Sequence, residues 1–246
     1  ACGEKGTILA TTNGADWQDI SLPIEENLSA IRFFNNNNGM VAGKNGEVYV
    51  TKDGGKNWIK SSKGERLHLF DVAFVSDKKG YAVGDSGIIM TTTNAGDQWQ
   101  LRTIPEKITL RGIDIVDNNA AWIVGEFGNI LKLEENGEKI VPQLSQVTAN
   151  LFDVDFVDNS YGWACGENGI VITTTNGGSQ WKVQPTEFKR MLSNLINNAV
   201  EAVEGSGQIA VNVSSDTDKV IISVVDNGKG ISDTRLLQLG RRGATF

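Results

Sequence analysis

Toward its C-terminal end the chain sets three amide or carboxylate side chains at helical spacing. Asn194, Asn198 and Glu201 stand at i, i+4 and i+7 and so share one helix face. Asparagine is a poor interior helix former, so Asn194, Asn197 and Asn198 in one short stretch call for a reason other than helix stability. Further along, an alternating strand runs directly into Asp226-Asn227-Gly228-Lys229-Gly230. There a carboxylate sits beside two glycines that let backbone come close to whatever it meets. The chemistry open to this set is polar recognition through acceptor oxygens. Taken singly, Asp226 and its glycines also fit a plain hairpin end, and Asn194 fits a capping or surface amide.

The elements that must position these groups are legible around them. Pro185 breaks the preceding strand pattern, and Phe188, Met191, Leu192, Leu195, Ile196, Ala199, Ala202 and Val203 then fall at helical spacing. Gly205 and Gly207 end the helix, and two alternating strands, Gln208–Ser214 and Lys219–Val225, flank a turn holding Asp216 and Asp218. In this order, Asn194-Leu195-Ile196-Asn197-Asn198-Ala199 resembles the N-box, and Asp226–Gly230 the first glycine box, of histidine-kinase ATP-binding domains. That wider family is shared with gyrase, the Hsp90 chaperone and MutL.

The resemblance implies ATP and Mg²⁺ as cofactors. Asn198 would hold the Mg²⁺ that bridges the nucleotide phosphates, since magnesium takes oxygen ligands and keeps several waters. Asn194 would line the phosphate side one turn earlier, and Glu201 would face the nucleotide from the next turn. Asp226 would accept a hydrogen bond from the adenine amino group, with Gly228 and Gly230 allowing the base close approach. The implied activity is ATP-dependent phosphorylation of histidine, followed by transfer to a response regulator. Within the 246 residues, the second glycine box of that family is missing, and Leu236–Phe246 resembles only the start of its lid. No phosphoacceptor helix with a histidine is present either. The expectation is a recognisable nucleotide fold that is incomplete for catalysis, with weak or no ATP binding.

The rest of the chain follows another rule. Gly43/Gly46, Gly84/Gly87, Gly125/Gly128 and Gly166/Gly169 recur with a step of 41 residues, and Gly3/Gly6 stands 40 residues before the first pair. A period of this length marks a repeat architecture. Each unit carries an apolar leading position (Leu28, Leu69, Leu110, Leu151), then an alternating pair such as Val154 and Phe156. A second apolar run follows, then the glycine pair, a third strand, and a turn closed by tryptophan. That turn reads Thr51-Lys52-Asp53-Gly54-Gly55-Lys56-Asn57-Trp58, and it returns at Thr92–Trp99 and Thr174–Trp181. Asp or Asn there accepts bonds from its own turn, glycine permits positive φ, and tryptophan plugs the gap between units. In the fourth unit the turn has degenerated to Leu133, Glu135 and Ile140, which leaves an apolar plug.

The turn resembles the Asp-box of neuraminidase repeats, and the unit resembles the propeller family of photosystem II assembly and stability factors. Four short strands per repeat describe propeller blades. The fold expected is therefore mainly β: a propeller of four complete blades plus a partial one over residues 1–183, followed over 184–246 by a partial α/β sandwich. The first unit lacks its leading strand, and nothing after Trp181 supplies it. This predicts an incomplete or strained ring, or one closed by further blades in a longer parent. Ala1-Cys2-Gly3 aligns with Ala164-Cys165-Gly166, so the two cysteines occupy one repeat position and are expected as small buried thiols. The arginines Arg32, Arg66, Arg102 and Arg111 share no blade position, which argues against a neuraminidase site. His68, the lone histidine, is expected to be structural.

A net charge of -7 argues against sequence-independent nucleic-acid binding, and no apolar run is long enough to cross a bilayer. The leading reading is a fragment of a sensor histidine kinase, in which a propeller binding a protein or small ligand on its loops joins part of an ATP-binding domain. The alternative is a non-enzymatic propeller scaffold with a relic ATPase-like tail. An ATP site favours the cytoplasm, whereas such propellers often sit outside it.

Overall fold

The structure is a computed structural model that describes residues 1–61, 67–117, 120–183, 185–203, 207–215 and 220–229. Two compact units divide the chain, Ala1–Gln184 and Pro185–Phe246.

In the first unit, β1 (Leu9–Ala10) and β2 (Gln18–Asp19) form a two-stranded sheet, and four four-stranded antiparallel sheets follow. The first is β3 (Leu28–Phe33), β4 (Gly39–Gly43), β5 (Val48–Thr51) and β6 (Ile59–Lys60). The second is β7 (Leu69–Phe74), β8 (Gly80–Gly84), β9 (Ile88–Thr92) and β10 (Gln100–Thr103). The third is β11 (Leu110–Ile115), β12 (Ala121–Gly125), β13 (Ile130–Glu134) and β14 (Lys139–Gln143). The fourth is β15 (Leu151–Phe156), β16 (Gly162–Gly166), β17 (Val171–Thr174) and β18 (Lys182–Val183). In each sheet the strands lie in chain order, and the leading strands β3, β7, β11 and β15 run side by side.

The glycine pairs explain why the second strand ends where it does. At Gly43, Gly84, Gly125 and Gly166 a Cβ would collide with the carbonyl oxygen of Asn27, His68, Thr109 or Asn150, the residue before each leading strand. The second glycine of each pair has φ near +70°, for example +71° at Gly87, which only glycine adopts freely. Sheet interiors obey a second pairing rule. Phe33, Phe74 and Phe156 stand across from Gly39, Gly80 and Gly162, whereas the smaller Ile115 faces Ala121. The Phe33 and Phe156 rings cover their glycines so closely that a Cβ would not fit without a shift.

The tryptophan turns form the same network three times. Gly55, Gly96 and Gly178 each donate their N–H to Thr51, Thr92 and Thr174 Oγ1 at 2.9 Å. Asn57, Gln98 and Gln180 donate theirs to Asp53, Asn94 and Asn176 Oδ1, also at 2.9 Å. The Asn57 bonds hold the Asp53 carboxyl down at about 2.

Three apolar clusters fill the junctions between successive four-stranded sheets. Trp122 stacks on Phe156 at 3.7 Å, and Phe156 meets Trp181 edge-on at 5.7 Å. Cys2 is half-buried but Cys165 is exposed, which corrects the expectation of two buried thiols. Both are free. The burying neighbour is what differs: Val83 and Val124, at the same repeat position as Cys165, are covered by the following sheet.

In the second unit, α1 (Pro185–Ala202) is followed by β19 (Ile209–Ser215) and β20 (Val220–Asp226), which pair antiparallel from Ile209 and Asp226 to Ser215 and Val220. Proline at the first helical position costs no hydrogen bond, because that N–H would have no intrahelical partner. The expected turn at Asp216 and Asp218, Gly205, Gly230 and Leu236–Phe246 lie outside the described residues.

Candidate functional site

Helix α1 buries Ala199 and half-buries Leu192, Ile196 and Ala202, so the face opposite looks outward. Asn194, Asn198 and Glu201 are all exposed on it. At the far end of β20, Asp226 is exposed and its Oδ1 accepts the N–H of Gly228 at 2.9 Å, which folds the chain back on itself. Asn227 closes the strand pair: its Oδ1 accepts the Gln208 N–H at 2.7 Å, and its own N–H donates to the Gln208 carbonyl at 3.2 Å.

The turn is then pinned to the helix end. Lys229 donates its N–H to the Ala202 carbonyl at 3.1 Å, satisfying a carbonyl that the helix terminus leaves open. A Cβ on Gly228 would collide with that same oxygen, so glycine is required for the docking. The structure thus sets the Asp226 turn against the helix terminus whose last turns carry Asn198 and Glu201. Gly230 falls outside the described residues. The donor set fits a nucleotide with Mg²⁺ in chemical kind: amide and carboxylate oxygens on an open face, beside backbone that only glycine permits. No cluster of three or more His, Cys, Asp or Glu able to hold a metal occurs among the described residues.

A second site lies in the repeat unit, where sequence reasoning did not look. The residue after each leading leucine is Ser29, Phe70, Arg111 or Phe152, and these line one cavity of about 320 Å³ together with Arg32 and Asp71. The Arg111 guanidinium sits over the Phe70 and Phe152 rings, at 5.2 and 5.6 Å from their centroids. Its Nη2 is 3.3 Å from Glu126 Oε1, while its Nε is buried without a hydrogen-bond partner among the described residues. Arg32 stands 3.7 Å from Asp71. Burial pushes the Asp71 carboxyl up, against the pull of the Ile113 N–H that it accepts at 3.1 Å. Arg32 and Arg111 hold different repeat positions on β3 and β11, the strands either side of β7, yet both line this one cavity. The signal that would have found the cavity was the 41-residue register of positions 29, 70, 111 and 152.

His68 Nε2 lies 2.7 Å from Ser29 Oγ, its ring stacks on Phe70 at 4.4 Å, and burial lowers its pKa. It ties the first sheet to the second. Arg66 lies outside the described residues. No described helix is long and apolar enough to cross a membrane.

Comparison with known proteins bears on both units. Residues 183–245 match the family described as histidine kinase-, DNA gyrase B-, and HSP90-like ATPase. Residues 9–68 and 64–143 match the family described as photosynthesis system II assembly factor YCF48. No curated protein matches the chain. Among solved structures, YCF48 from Cyanidioschyzon merolae is similar at 16% identity and a TM-score of 0.57, over 90% of this chain and 74% of that one. YCF48 bound to D1 peptide is similar at 17% identity and a TM-score of 0.50, over 72% of this chain and 75% of that one. The Niastella koreensis GH74 enzyme is similar at 13% identity and a TM-score of 0.59, over 74% of this chain and 34% of that one. At such identities the likeness is one of fold, and that fold makes the four-stranded sheets propeller blades. With more than half its length matched, the chain belongs to the photosynthesis system II assembly factor YCF48 family.

Proposed function

We propose that the chain is part of a sensor histidine kinase in which a polypeptide-binding propeller is joined to an ATP-binding unit. The observation that carries the second half is the docking of the Asp226 turn on the end of α1 through Lys229 N–H and the Ala202 carbonyl. It brings the turn that carries Asp226 to the end of the helix that carries Asn198 and Glu201, which supports a site drawing acceptor oxygens from both elements. In this reading Asn198 holds Mg²⁺, Asn194 lines the phosphates, Glu201 faces the nucleotide, and Asp226 reads the adenine amino group, with Gly228 and Gly230 admitting the base. Bound ATP supplies the phosphoryl group, and the residues of this chain position it. A response regulator would receive that group, and such a unit would work in the cytoplasm.

The test is a titration with Mg·ATP followed by ¹H–¹⁵N spectra. Weak, magnesium-dependent binding is expected, with shifts at Asn194, Asn198, Glu201, Asp226 and Gly228. The Asn198→Ala variant should weaken it at least fivefold. Binding indifferent to magnesium and to this substitution would refute the assignment.

A second reading is favoured by one observation: a protein of the same propeller fold is known bound to a D1 peptide. Here the propeller is an assembly scaffold that holds a polypeptide, and the ATPase-like unit is a relic. Absence of any nucleotide response, with polypeptide binding retained, decides for this reading.

A further inference from the structure

The β19–β20 ladder runs from Ser215 and Val220 to Ile209 and Asp226. One step further, Gln208 and Asn227 face each other. A hydrogen-bonded antiparallel pair exchanges two main-chain bonds. Here only one is main-chain: Asn227 donates its N–H to the Gln208 carbonyl at 3.2 Å. The Gln208 N–H goes instead to the Asn227 side chain, whose Oδ1 accepts it at 2.7 Å. The side-chain amide thus stands in for its own main-chain carbonyl, and the ladder stops directly after Asp226.

That exchange lets the following peptides turn away from the strand. Gly228 folds back to donate to Asp226 Oδ1 at 2.9 Å, and Lys229 reaches the Ala202 carbonyl at 3.1 Å. The Asn227 side chain also lies against the chain that leaves the helix: a Cβ on Gly207 would come within 3.2 Å of its Oδ1. One side chain therefore joins the exit of α1, the entry to β19 and the Asp226 turn. The position calls for a short, neutral acceptor. Alanine would leave the Gln208 N–H without this partner. Aspartate would accept the bond but would set a second carboxylate beside Asp226, and each would disfavour charge on the other. Asparagine supplies the acceptor and leaves the Asp226 charge undisturbed.

We propose that Asn227 is a positioning residue: it fixes the Asp226 carboxylate for the base of a bound nucleotide, and so sets the choice of adenine over guanine. The inference rests on the nucleotide reading of the second unit and names what makes that site selective. A carboxylate accepts from the adenine amino group, whereas guanine presents an oxygen at the same place. A site built around one hydrogen bond rejects the base that cannot make it, provided the protein group is held in position.

The experiment titrates the full chain with Mg·ATP, Mg·GTP and Mg·tripolyphosphate, the last having no base, and reads binding from ¹H–¹⁵N shifts. The native chain should prefer ATP over GTP at least fivefold. Asn227→Ala should bring the two within twofold of each other and leave tripolyphosphate binding within twofold of native. Asn227→Asp, which keeps the acceptor, should weaken both nucleotides through its charge yet hold the fivefold ratio. A merely structural role would move all three ligands together, so a matching loss of tripolyphosphate binding in a folded Asn227→Ala chain overturns the proposal. An ATP preference that survives Asn227→Ala, or one that Asn227→Asp loses, overturns it too, and the nucleotide reading stands in each of these cases. The amide pattern of β19 and β20 reports whether a variant is folded; if Asn227→Ala is not, Asn227→Asp decides alone. Native binding that does not distinguish the bases removes the roles of both Asp226 and Asn227. No response to Mg·ATP at all removes the nucleotide reading and this inference with it.

Discussion

Trp99 donates its indole N–H to Ser61 of the preceding sheet at 2.8 Å, whereas Trp58, one repeat earlier, has its indole nitrogen buried with no hydrogen-bond partner among the described residues. The two residues close the same turn, held by the same threonine and acidic or amide side chain. What differs lies 38 residues back in the chain. Trp99 finds Ser61 there and Trp181 finds Gln143, bonded at 3.3 Å, but Trp58 finds Ile20. At the degenerate turn the exchange runs backward: Ile140 replaces the tryptophan, and Arg102 reaches across to donate to the Gly137 and Glu138 carbonyls at 2.6 and 3.0 Å. The turn is thus a local property of eight residues, while the strength of a junction is set by the neighbouring unit.

The largest consequence concerns the aromatic plugs. Trp122→Ala should destabilise the repeat unit by about 3–5 kcal/mol, since it empties a fully packed junction. Phe33→Ala should cost about 1 kcal/mol or less, because Phe33 is already about half exposed. All six tryptophans lie in this unit, so urea unfolding followed by their fluorescence reads it alone. Equal costs would break the comparison between the buried plug and the half-exposed one.

A smaller effect sharpens it. Trp99→Phe should lose about 1 kcal/mol by removing a part-buried bond. Trp58→Phe should be nearly neutral, having no bond to lose. If Trp58→Phe proves as costly as Trp99→Phe, the difference in neighbours does not matter energetically.

The smallest effect is one of pH. Burial raises the Asp71 and Asp114 carboxyls above their ordinary values. The folded form therefore binds these protons more tightly than the unfolded chain. Stability should rise as pH falls from neutral through the raised folded values toward the ordinary carboxylate range. Asp71→Asn keeps an acceptor for the Ile113 N–H and should flatten that rise. Below the ordinary range the trend reverses, because Asp53, held at about 2, loses its bonds to Asn57 as it protonates. A rise in stability unchanged by Asp71→Asn would assign it to other groups.

These contrasts show why some features were readable in the sequence and others were not. The glycine pairs and the threonine–tryptophan turns depend on residues close in the chain, so their spacing announces them. The shared outward face of Asn194, Asn198 and Glu201 follows from helical periodicity in the same way. That Arg32 and Arg111 line one cavity depends on how β3 and β11 lie either side of β7, which repeat position alone does not express. The exposure of Cys165 depends on what covers its sheet. The seal between Lys229 and Ala202 joins the end of the hairpin to the end of the helix before it, and only packing brings them together.

The shared border that this seal creates is the central claim, and the most direct measurement is Mg·ATP titration of the chain and its Asp226→Asn variant, read at the Gly228 amide. The account predicts a magnesium-dependent shift at Gly228 in the native chain that the variant loses, with the ¹H–¹⁵N pattern of α1 otherwise unchanged. A Gly228 amide that ignores nucleotide, or a shift that survives Asp226→Asn, would contradict it.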